Sequence, residues 1–127
     1  EPTTGLDFRE CEKVMAIIRR IHEQGVTVIM VCHDMEVVAD YATRCIVMSD
    51  GRVVDDAPTF EVLRNRDTLE RASLVPPQIV DLSLELGRAI PRLADAPVGS
   101  ANTVDEMLAA VVEEARGAQD EERSVSA

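Results

Sequence analysis

Between Cys11 and Ile21 the apolar residues return every three or four positions, with Cys11, Val14, Met15, Ile18 and Ile21 in register. That spacing predicts an amphipathic helix. Asp7 stands where an N-cap belongs and Glu10 follows three residues later, the spacing of a capping box. Gly25 predicts the C-terminal stop. Arg9, Arg19, Arg20 and Glu23 fall largely on the opposite face. The pattern then changes. Val26-Thr-Val-Ile-Met-Val-Cys32 is β-branched and apolar on both alternating faces, which predicts a buried parallel strand. It ends at His33-Asp34. A short helix is expected over Asp34 to Tyr41, with Met35, Val38 and Ala42 on one face.

Arg44 to Met48 reads as a further strand. Asp50-Gly51 is a turn signal, and Arg52 to Asp55 completes a hairpin. Pro58-Thr59 opens a helix through Leu63. Beyond residue 61 only helices are predicted. An amphipathic piece covers Thr68 to Leu74, and Pro76-Pro77 breaks the chain. A helix carrying Ile79, Leu82, Leu84 and Leu86 ends at Gly87. Pro91 to Asn102 reads as a linker. Thr103 and Glu106 form a second capping box, with Met107, Leu108, Val111 and Val112 expected inward. The last ten residues are polar and expected to fray.

Length and composition narrow the picture. With 127 residues there is room for one modest domain. Apolar residues make up 46% and aromatics 2%, so any core is aliphatic. The formal charge of −11 argues against a nucleic-acid partner, which needs a basic face. It argues equally against a polybasic grip on anionic lipid. From Asp95 onward eight acids face only Arg116 and Arg123, so the C-terminal tail is strongly acidic. Cys11, Cys32 and Cys45 have no CxxC spacing and an odd count, which fits reduced thiols rather than a disulfide framework. No stretch approaches the ~20 apolar residues of a membrane span. A chain opening on Glu1-Pro-Thr-Thr is expected to be cut from something longer.

The chemistry rests on an order of motifs: Glu1-Pro-Thr-Thr-Gly-Leu-Asp7, a helix, a hydrophobic strand, and His33-Asp34 at that strand's end. This order resembles the end of an ABC-transporter nucleotide-binding domain. The resemblance implies that Glu1 is the catalytic carboxylate, that Gly5, Leu6 and Asp7 belong to the D-loop at a dimer interface, and that His33 is the switch histidine. The hairpin Asp50-Gly51-Arg52-Val53-Val54 matches the one that commonly follows. Leu74-Val-Pro-Pro-Gln through Gly87, then Thr103 to Glu106, resembles the C-terminal extension of energy-coupling factor transporter ATPases. The fold implied is α/β, the C-terminal part of a P-loop (RecA-like) ATPase core with a small helical extension. Residues 1–65 would be the end of the core, 66–117 the extension and 118–127 a disordered tail. ATP and Mg2+ would be used by the intact protein. The implied partners are a second ABC ATPase subunit and transmembrane subunits, at the cytoplasmic face of a membrane. The implied task is powering an importer for a vitamin or for cobalt or nickel ions.

These roles are physically reasonable. Hydrolysis of a phosphoanhydride needs an oriented water and neutralised developing charge. A carboxylate at a strand end can accept from that water. A histidine at the adjacent strand end can donate to a phosphate or orient the carboxylate. Ligands of open α/β sheets gather at the carboxyl ends of strands. Asp7 has a purely structural use as a helix cap, compatible with the D-loop role. His22 is expected to be solvated. A metal pair at Cys32 and His33 is disfavoured, because neighbouring strand residues face opposite ways. The family's GxxxxGK[ST] loop, glutamine loop, LSGGQ-type signature and magnesium-binding Asp do not occur in the sequence. The chain alone is therefore expected neither to bind ATP tightly nor to hydrolyse it. The unpaired edges of strand 26–32 also predict poor folding or aggregation. The competing expectation is a non-catalytic interaction or regulatory module derived from such an ATPase.

Overall fold

The computed structural model describes the backbone of residues 1–125 and the side chains of residues 1–118. Its elements are α1 (Phe8–Glu23), α2 (Met35–Tyr41), β1 (Arg44–Ser49), β2 (Arg52–Pro58), α3 (Thr59–Arg64), α4 (Arg66–Arg71), α5 (Gln78–Ala89), a 3-10 turn (Pro91–Leu93), α6 (Pro97–Ser100) and α7 (Val104–Val125). The architecture is mixed: helices around one two-stranded antiparallel sheet.

Local signals set the element starts. Asp7 accepts from Glu10 N at 2.9 Å and begins α1. Gly25 lies at φ +89° just past its end, a conformation that favours glycine. Asp34 accepts from Glu36 N at 3.0 Å and begins α2. In the hairpin Asp50 and Gly51 have φ of 50° and 72°. Both central residues of a type I′ turn need positive φ, and this turn matches the twist of the strands. A bulge between Val47 and Met48 lets the pairing run from Arg44↔Pro58 to Ser49↔Arg52.

Two small cores result. Val47, Val62 and Leu69 pack the hairpin onto α3 and α4, with Leu74 and Ala72 alongside. Leu93, Val98, Ala101, Met107 and Ala110 form a second cluster, with Ile79 and Leu86 against it. Arg64 ties them: its guanidinium donates to Gly99 O at 2.5 Å, Ala101 O at 3.3 Å, Asn102 Oδ1 at 3.2 Å and Ser83 Oγ at 3.5 Å. Burial holds this guanidinium's pKa below its ordinary value.

Five expectations are corrected. Residues 26–32 form no strand and pair with none among the described residues, and Ile29 and Val31 are 91% and 76% exposed. An apolar run can dictate extended backbone, but a ladder needs a neighbour, and none of the described residues supplies one. The linker 91–102 is instead largely folded: it holds the 3-10 turn and α6, and Leu93, Val98 and Ala101 are buried. α5 runs past Gly87 to Ala89, where Gly87 leaves room for the Ala94 backbone. On α7 the inward residues are Met107 and Ala110, while Leu108, Val111 and Val112 are exposed. The tail expected to be disordered, 118–127, is helical as far as Val125, and residues 126–127 lie outside the described residues. Among the described residues no helix is long and apolar enough to cross a membrane. The three cysteines are free and half-buried.

Candidate functional site

The turn over residues 2–5 folds back on α1. Leu6 N donates to Thr3 O at 3.2 Å, and the Cys11 thiol donates to Thr3 O at 3.7 Å. Gly5 sits at φ +77° with open space around it, so glycine is favoured there by backbone conformation rather than by crowding. This loop presents Glu1. His33 follows segment 26–32, just before the cap of α2.

The two side chains meet. His33 Nδ1 lies 2.5 Å from Glu1 Oε1, and Thr4 Oγ1 donates to Glu1 Oε2 at 2.8 Å. The pair is open to solvent, His33 being 75% and Glu1 39% exposed. The Thr4 hydroxyl and then the His33 ring hold the Glu1 carboxyl below its ordinary pKa. A carboxylate only accepts, so His33 Nδ1 carries the proton of this bond. Neutral His33 then presents Nε2 to solvent as an acceptor, and only the imidazolium can donate to Glu1 and to an incoming oxyanion at once. The geometry thus suits His33 first to aiming the carboxylate, and leaves Glu1 with lone pairs for a water.

Glu1 and His33, the expected pair, stand together. Gly5, Leu6 and Asp7 form a separate patch: among the described residues they make no hydrogen bond to Glu1 or His33, and the Asp7 carboxylate is used in capping α1. Thr4 went unnoticed in the sequence. Its only signal there is a hydroxyl three residues after a glutamate, too common to single out. His22 is exposed, as expected, though its Nδ1 also meets Val26 O at 3.1 Å. Among the described residues no three His, Cys, Asp or Glu side chains are grouped to hold a metal.

No family model matches the chain. It is 42% identical over 88 residues to the putative ABC transporter ATP-binding protein TTE1589 of Caldanaerobacter subterraneus subsp. tengcongensis, covering 69% of this chain and 16% of that protein. It is 47% identical over 87 residues to the energy-coupling factor transporter ATP-binding protein EcfA2 of Clostridium perfringens, covering 68% of this chain and 30% of that protein. The namesake protein of Acetivibrio thermocellus is 37% identical over 108 residues, covering 84% of this chain and 38% of its own length. The chain therefore spans well under half the length of each of these relatives.

Proposed function

Because the homologues over some two thirds of this chain are ABC transporter ATP-binding proteins, we infer that it forms the carboxylate–histidine end of an ATP-hydrolysing transporter subunit. The observation that carries this reading is the 2.5 Å meeting of His33 with Glu1. In the proposed reaction ATP is the substrate. Glu1 accepts a hydrogen bond from the attacking water, and His33 and Thr4 hold the carboxylate in one orientation. General-base positioning of this kind contributes typically ~10²–10⁴ in rate.

The chain's own residues do not make the rest of the site. Its one lysine, Lys13, lies on exposed α1. The Asp34 carboxylate caps α2. Among the described residues no three metal-ligating side chains are grouped, and no step in this chain runs through Mg2+. The chain by itself is accordingly inactive. Residues 1–65 serve as the end of the ATPase core and 66–117 as its extension. Gly5, Leu6 and Asp7 face a second ATPase subunit. The assembly sits peripherally at the cytoplasmic face of a membrane, coupled to transmembrane subunits. The names of the Clostridium and Acetivibrio relatives favour an energy-coupling factor importer, which would carry a vitamin or cobalt or nickel ions.

The test is a graft. The matching segment of the Clostridium perfringens relative is replaced by this chain, and Glu1→Gln and His33→Ala are made in the graft. Each should lower turnover about 100-fold or more, and Glu1→Gln should leave ATP binding intact. Near-normal hydrolysis in Glu1→Gln overturns the assignment.

A further inference from the structure

Glu36 reaches across the molecule. From the first turn of α2 its Oε1 accepts from Gln78 N at 2.8 Å, 42 positions away, at the opening of α5. That helix has no side-chain cap of its own, because Pro77 precedes it. A carboxylate at such an end satisfies an orphan N–H and faces the positive end of the helix dipole. The same turn of α2 is the one that Asp34 caps, by bonds to Glu36 N and Val37 N at 3.0 and 3.4 Å. His33 is the residue immediately before that cap. Between α2 and the C-terminal helices lies a cleft of about 350 Å³, lined by Glu36, Ala39, Asp40, Phe60, Ile79 and Asn102. The Glu36–Gln78 bond therefore spans a gap rather than duplicating a packed contact. Further along, α5 is also anchored by Arg66, paired with Asp81 and Glu85 at 2.6 Å each.

We propose that Glu36 is a positioning residue for His33: by fastening the first turn of α2 to α5, it sets where His33 stands relative to Glu1. It acts through His33 and touches neither Glu1 nor the substrate. The proposal rests on the reading of Glu1 and His33 as the hydrolytic pair, and it gives α5 an indirect hold on that pair through the first turn of α2.

The grafted ATPase tests it with Glu36→Ala, Glu36→Gln and Arg66→Ala, and with His33→Ala as reference. Glu36→Ala should lower kcat about fivefold, the scale of one lost helix cap, with KM for ATP unchanged. Glu36→Gln keeps the acceptor oxygen and should restore most of that loss. Arg66→Ala loosens α5 without touching α2. It should keep kcat within about twofold even where it lowers Tm as far as Glu36→Ala does. An equal kcat loss in Arg66→Ala, or no restoration by Gln, overturns the proposal. A normal kcat in Glu36→Ala beside a lost one in His33→Ala overturns it alone. Normal hydrolysis in His33→Ala overturns it together with the reading beneath it.

Discussion

His33 Nδ1 stands 2.5 Å from Glu1 Oε1, joining residues 32 positions apart. With Thr4 on the other carboxylate oxygen at 2.8 Å, the charged form of Glu1 is favoured, Thr4 contributing most and His33 next. The sign follows directly. A carboxyl whose pKa is lowered on folding adds stability above its ordinary value of 4.5, and that contribution is lost as pH falls through the lowered folded value. Carboxyl-labelled Glu1 should therefore titrate below 4.5 by NMR. Thr4→Val should move its midpoint upward. A midpoint at or above the ordinary value in the unsubstituted protein contradicts the arrangement.

What the sequence disclosed divides by range. Caps act over three or four residues, so Asp7 and Asp34 marked their helices correctly. The Asp50-Gly51 turn needs positive φ at both residues, so the hairpin was legible too. The fate of 26–32 was not, because an apolar β-branched run is a local property and strand pairing depends on a neighbouring strand. Nor was the folding of 91–102, whose prolines and small residues read as linker. Its carbonyls at Gly99 and Ala101 are satisfied by Arg64 from 35 and 37 positions away, a relationship with no local signature. The candidate pair, Glu1 and His33, was pointed to by its motifs, and the two side chains meet. The contacts of Thr4 and Glu36 were not pointed to, because a common hydroxyl or carboxylate finds such partners only through the fold.

Segment 26–32 makes a prediction about solution behaviour. Ile29 is 91% exposed in an apolar, β-branched run that pairs with no strand among the described residues. Such an edge recruits other chains. The 127-residue chain should associate in sedimentation velocity, and Ile29→Lys should shift it toward monomer. In the grafted ATPase, where the segment is expected to be covered, the same change should lower Tm, because a charge would be buried. A chain that is monomeric without the substitution refutes the first half.

Two glycines should respond oppositely to alanine. At Gly99 a Cβ would lie 2.1 Å from Leu93 O and 2.7 Å from Ala94 O, both backbone atoms at the end of the 3-10 turn. Gly99→Ala should cost about 1–3 kcal/mol from overpacking. Gly117 lies within α7 with nothing within 4 Å, so Gly117→Ala should gain about 0.5–1 kcal/mol. Urea titrations in the Ile29→Lys background measure both. Equal effects would show that the turn yields readily.

Arg64 gives the sharpest test of how the C-terminal helices are held. Its planar fork donates to four acceptors on α5, α6 and the segment before α7. Arg64→Met removes those donors and leaves the Gly99 and Ala101 carbonyls without them, which should cost about 2–3 kcal/mol. Arg64→Lys should recover little of it, because one ammonium on a flexible stem cannot reproduce the fork. The loss should also be local. Amide exchange should accelerate through residues 79–101, while the β1–β2 amides keep their protection, since the hairpin packs on Val62 and Leu69 rather than on Arg64. If Arg64→Lys stays within about 0.5 kcal/mol of the parent, near the level of an ordinary surface substitution, the guanidinium is not what fastens α5 and α6 to α3.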